Sequence, residues 1–159
     1  MGTRTFELST TVPLEPAAAI DFLLVLGHHH GLHPLLVSAD VVHRGTGPTG
    51  EWADWEVVER VPLGPFGWPL RFGARMVRTE RHVMEAHVRA APGCLLRTTT
   101  SAEPSGAGSL LRETTVVTAP RPVLGFMTEQ ARAAHARTYE RLPAHLARGL
   151  EDTDGRMDP

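Results

Sequence analysis

Residues that could do chemistry in this chain fall into three groups. The first is a run of imidazoles, His28-His29-His30-Gly31-Leu32-His33. A zinc site needs three or four nitrogen, sulfur or carboxylate ligands converging on one point. Consecutive side chains point in different directions, so at most two or three of these imidazoles could share an ion, for instance His29 with His33 in a helical stretch. No Asp or Glu lies within the run, and Asp21 or Asp40 would have to fold back to complete a set. Metal binding, a polar cluster at a cavity mouth and a solvated connection all remain open. The expectation is no metal and no other cofactor.

The second group is acid and base. Arg112 and Glu113 are neighbours in a strand-like stretch, so they point to opposite sides of a sheet and one charge faces inward. If Leu111, Thr115 and Val117 mark the inner face, the inward charge is Glu113. A buried carboxylate requires an arginine, a histidine or a polar ligand, and His135 is the natural partner. The alternative is a rim position with both charges wet. His82 shares parity with Met84, Ala86 and Val88, and Arg78 shares parity with Met76. Both would flank one hairpin, either at the end of the pocket face or reaching solvent past the rim. Tyr139 completes the groups able to move protons.

The third group is nucleophilic and yields no candidate. Cys94 has no activating pattern, and no serine sits in a Gly-x-Ser-x-Gly sequence. Gly45 to Gly50 continues into neither Lys-Ser/Thr nor a helix, so it is no phosphate loop. Catalytic residues are therefore left unassigned.

These groups sit on elements that periodicity delineates. Arg4 to Val12 alternates as a strand, and Pro16 then starts a helix over Ala17 to Leu26 that Gly27 stops. A second, very short helix is expected over His30 to Leu35. Six strands follow: Val37–Arg44, Glu51–Leu63, Trp68–Arg78, Arg81–Ala90, Cys94–Ala102 and Ser109–Ala119. Gly and Pro clusters separate most of them, and Thr79-Glu80 is read as a tight turn without glycine. A long amphipathic helix runs from about Pro122 to Leu150, where Pro143 is expected to kink or break it near Tyr139. Glu151 to Pro159 is acidic and nearly devoid of apolar residues, and it reads as a disordered tail after a single domain over residues 1–150.

At 159 residues the chain suits one core, and a net charge of -2 gives no electrostatic footprint for nucleic acid. All sixteen cations are arginine, and the densest stretch, Arg132 to Arg148, is interleaved with Glu129 and Glu140 as on a solvated helix face. A single cysteine and the lack of a long apolar stretch point to the cytoplasm, without stable membrane insertion. Oligomeric state is not readable.

The order strand, two short helices, six strands, long helix resembles the START-like helix-grip superfamily, or SRPBCC, often labelled polyketide cyclase/dehydrase or lipid transport. The resemblance covers residues 4–150. It is carried by Phe6-Glu-Leu-Ser-Thr-Thr-Val-Pro, by Pro16-Ala-Ala-Ala-Ile-Asp-Phe-Leu, by His33-Pro34 and by the glycine-rich Gly45 to Gly50. It implies an α+β fold in which a curved, antiparallel seven-stranded sheet grips the last helix around an apolar cavity. Parity places Trp55, Phe72, Met76, His82, Met84 and Glu113 on the inner sheet face, with Ala131, Ala134, His135 and Thr138 opposite them on the helix. The histidine run lies outside these faces. The function expected is binding or carrying of a hydrophobic small molecule. One alternative is a polyketide cyclase or dehydratase using cavity acid–base residues, and another is an interaction or regulatory module displaying Pro65-Phe66-Gly67-Trp68-Pro69.

Overall fold

A computed structural model describes residues 1–91 and 93–154. Strand β1 (Gly2–Val12) leads into helix α1 (Pro16–Leu24), with Pro16 at the first helical turn where its missing N–H costs nothing. A short 3-10 helix over Leu26–His29 follows, so the second helical piece lies earlier than the expected His30–Leu35. Six strands come next: β2 (Leu36–Gly47), β3 (Gly50–Leu63), β4 (Phe66–Glu80), β5 (Val83–Ala91), β6 (Cys94–Ser105) and β7 (Gly108–Ala119). Helix α2 (Arg121–Asp154) closes the described chain.

All neighbouring strands are antiparallel in the order β1-β7-β6-β5-β4-β3-β2. The chain leaves this meander once, when α1 and the 3-10 helix carry it from one edge strand to the other. Register shifts interrupt β2, the β4–β5 pair and the β5–β6 pair, and such bulges bend a sheet. The resulting curved sheet receives α2, which packs on β1 and β7.

Several boundaries differ from expectation because two-residue turns let strands run almost to their tips. The Gly45 to Gly50 segment is mostly strand, with only Pro48 and Thr49 in the turn. Gly50 sits at φ +122°, and a Cβ there would run into the Arg78 carbonyl oxygen of the neighbouring strand. The β4–β5 turn falls at Arg81-His82, two residues beyond the expected Thr79-Glu80. Helix α2 passes unbroken through Pro143 and continues to Asp154, so Glu151 to Asp154 are helical. The remainder of the expected tail, residues 155–159, lies outside the described residues.

Two apolar clusters hold the layers together. One gathers Ile20, Leu23, Leu32, Trp55, Leu111, Leu142 and Leu146 where α1 meets the second half of α2. The other joins Phe6, Cys94, Val117, Ala119 and Leu124 beneath the start of α2.

Candidate ligand-binding site

Alternation along the strands decides what faces α2. In β7 the residues Ser109, Leu111, Glu113, Thr115, Val117 and Ala119 are buried, while Arg112 is exposed. Glu113 is therefore the inward charge, 8% exposed. Its Oε1 lies 2.6 Å from Nδ1 of His135 and accepts a 3.1 Å hydrogen bond from the Thr115 hydroxyl. Thr115 in turn shares a 2.9 Å hydrogen bond with Thr98 on β6.

Between α2 and strands β3 to β6 lies a cavity of about 280 Å³. Its walls are apolar, including Val57, Leu70, Phe72, Met76, Met84 and Val88 from the sheet. Helix α2 contributes Met127, Ala131, Ala134 and Thr138 from its small-residue face, and Leu26, Leu35 and Leu36 close one flank.

Polar groups gather where the connection after α1 meets α2 and the sheet. His29, His33, Glu59, Glu113, His135 and Tyr139 all line the cavity. The His33 and His135 rings meet edge to face with centroids 6.3 Å apart, and His33 Nδ1 is 3.6 Å from Glu59 Oε1. His29 holds its position through Nε2, 3.1 Å from the Leu23 carbonyl. Two polar atoms here are enclosed without a hydrogen-bond partner, His33 Nδ1 and the Tyr139 hydroxyl. The Tyr139 hydroxyl is near enough to feel Thr100 and Glu113, yet makes a well-formed bond to neither.

Burial and pairing sort these groups into two protonation regimes. Burial pushes the Glu113 carboxyl up, but the His135 charge, its hydrogen bond, the Thr115 hydroxyl and the nearby Tyr139 hydroxyl pull it net below the usual carboxylate range. Burial pulls His135 down, and the adjacent Glu113 charge and hydrogen bond raise it net above an ordinary imidazole. This is a buried carboxylate–imidazolium pair. Opposite it, burial raises Glu59 to about 7 against the pull of His135. Burial, with repulsion from His135 and His29, lowers His33 to about 3, and burial lowers His29 to about 4. Glu59 and His33 are therefore no ion pair at neutral pH, since the imidazole is uncharged. Burial and then the Glu113 charge hold the Tyr139 phenol well above its ordinary value, so its proton stays on.

No family model and no curated protein matches this sequence. Solved structures do. The Zhui aromatase/cyclase from a Streptomyces species superposes with a TM-score of 0.75 at 12% identity, covering 94% of this chain and 96% of that one. Ara h 8.0201 gives a TM-score of 0.61 at 16% identity over 89% and 98% of the two chains. Truncated norcoclaurine synthase from Thalictrum flavum gives 0.60 at 13% identity over 89% and 93%. The fold is the helix-grip fold that these structures share. At these identities the likeness speaks for the fold alone.

Of the residues expected to line the helix-grip cavity, the structure brings together Phe72, Met76, Met84, Glu113, Ala131, Ala134, His135 and Thr138. It leaves out two. Trp55 has the right parity but is core, 7% exposed and packed in the cluster beneath α1, outside the cavity lining. His82 lies in the β4–β5 turn, because that turn falls two residues late and removes it from the strand alternation. Arg78 reaches the rim, where it pairs with Asp21 and donates to the Arg81 carbonyl. The placement of the histidine run outside the pocket faces is also corrected. His29 and His33 enter the cavity because the 3-10 helix and the following turn fold back under α1. Glu59 had a signal in its shared parity with Val57 and Val61, both of which line the cavity. Phe66 and Trp68, at the β3–β4 tip, are 78% and 65% exposed and take no part in the lining.

Proposed function

We propose that this helix-grip protein binds a hydrophobic small molecule in the cavity between α2 and the sheet. The carrying observation is a cavity of about 280 Å³, apolar on most walls and polar at one end. It sits near the lower end of ligand-site volumes, where apolar area supplies affinity and a few directional groups supply orientation. Ala134 is buried at the middle of the helical wall, so Ala134→Trp fills the space with an indole. Uptake of a neutral naphthalene fluorophore should be lost while the melting temperature stays within a few degrees. Unchanged uptake would mean that the probe binds outside this cavity.

A second reading, acid–base catalysis on the bound guest, is favoured by Glu59. A carboxyl raised to about 7 inside a binding cavity can both take and give a proton at neutral pH. If it does so, an apolar enolisable ketone such as tetralone should exchange its α-hydrogens with deuterated water faster with the protein than without. Glu59→Gln should abolish that gain. Exchange at the solvent rate in both samples would leave binding alone.

A further inference from the structure

We propose that the cavity selects an uncharged apolar molecule carrying one hydroxyl-type head, held by Tyr139 and His33, over a carboxylate of the same skeleton. This rests on the binding reading and specifies its ligand.

Two observations carry it. The first is the pair of enclosed, unpartnered atoms. Tyr139 is 5% exposed, its hydroxyl has no hydrogen-bond partner, and it stands one helical turn from His135 on the cavity side of α2. His33 Nδ1 is likewise enclosed and unpartnered, and its ring contacts the His135 ring. An enclosed polar atom left unsatisfied is destabilising, so each is a place where a ligand gains by supplying a partner. A hydroxyl both accepts and donates, so it can meet a phenolic O–H and an imidazole nitrogen together.

The second observation is the charge of the lining. Among the described residues that line the cavity there is no arginine, and both carboxyl groups, Glu59 and Glu113, face the same end. The imidazolium available, His135, is committed to Glu113 at 2.6 Å. An incoming carboxylate would meet two acidic groups and no free cation. To gain a counter-charge it would have to protonate His29 or His33, which burial holds at about 4 and about 3. A desolvated anion without a partner is far costlier than a hydroxyl.

Three probes with one skeleton test this at neutral pH: naphthol, naphthoate and naphthalene, each by competition against a neutral fluorophore. Naphthol should bind at least about tenfold tighter than naphthoate, because the anion gives up its water without gaining a counter-charge. Tyr139→Phe should weaken naphthol by about tenfold and leave naphthalene unchanged. Because the wild-type ranking stands without any variant, a poorly folded Tyr139→Phe would not remove the test. Naphthoate binding as tightly as naphthol overturns the inference, as does a naphthol affinity no better than that of naphthalene. If none of the three binds, the binding reading itself falls, and this inference with it.

Discussion

Glu59 and Glu113 show how one residue type takes opposite roles a short distance apart. Glu113 has a cation beside it and stays charged; Glu59 faces a neutral imidazole and is held near 7. A carboxyl raised in the folded state binds more protons there than when unfolded, so its contribution fades as pH climbs from about 4.5 through 7. Glu59→Gln mimics the protonated form. Its melting temperature should match wild type at pH 4.5 and exceed it at pH 7.5; equal values at both would mean Glu59 ionises freely. The Glu113–His135 pair behaves differently. The depressed carboxyl loses its contribution below about 4.5, and the raised imidazole loses its own as pH climbs above 6.5. Glu113→Ala should therefore cost most between those limits, about 3–5 kcal/mol by urea unfolding, and less at pH 9.

At the scale of elements, the strands followed periodicity apart from one shifted turn, and helix α2 carries its proline without a break. Proline inside a helix removes one backbone bond and crowds the preceding turn, yet α2 continues through Pro143. The surrounding contacts explain this, since Tyr139, Leu142 and Leu146 are all buried against the core and hold both halves in place. Packing outweighs the local penalty. Pro143→Ala should release that penalty and raise stability by about 1–3 kcal/mol, seen as a higher urea midpoint. An unchanged midpoint would mean the helix has adapted to the proline. The Gly50 hairpin points the other way. Its positive φ and the Arg78 carbonyl leave no room for a side chain, so Gly50→Ala should lower the melting temperature by several degrees.

For the whole molecule, acid is the expected weakness. His29 and His33 stay neutral in the fold to about 4 and about 3, whereas an unfolded chain protonates its imidazoles near 6.5. The unfolded state thus binds more protons throughout that interval, and stability should drain away as pH falls from 6.5 to 4. His33→Gln should flatten this slope, and an unaltered slope would assign acid sensitivity elsewhere. Metal should not matter. No group of three or more ligating side chains is arranged to hold an ion among the described residues, and His29 and His135 are already engaged by Leu23 and Glu113. Chelator should leave the melting temperature in place; a drop restored by zinc would contradict this.

The architecture was legible because its signals are local. Period-two alternation, turn residues and one long amphipathic stretch specify an antiparallel sheet with a closing helix, and the Arg112–Glu113 adjacency forces one charge inward. That Glu113 meets His135 followed from there being few partners to choose from. The rest of the site depends on where backbone segments lie relative to one another, which no local pattern encodes. A turn shifted by two residues took His82 out of the candidate face, and Trp55 packed into the core cluster instead of the cavity wall. The fold-back of the 3-10 helix brought His29 and His33 beside His135, more than a hundred residues away in sequence, and only that convergence strips their water and moves their proton affinities. Periodicity determines which way a side chain points; the tertiary structure decided what it points at.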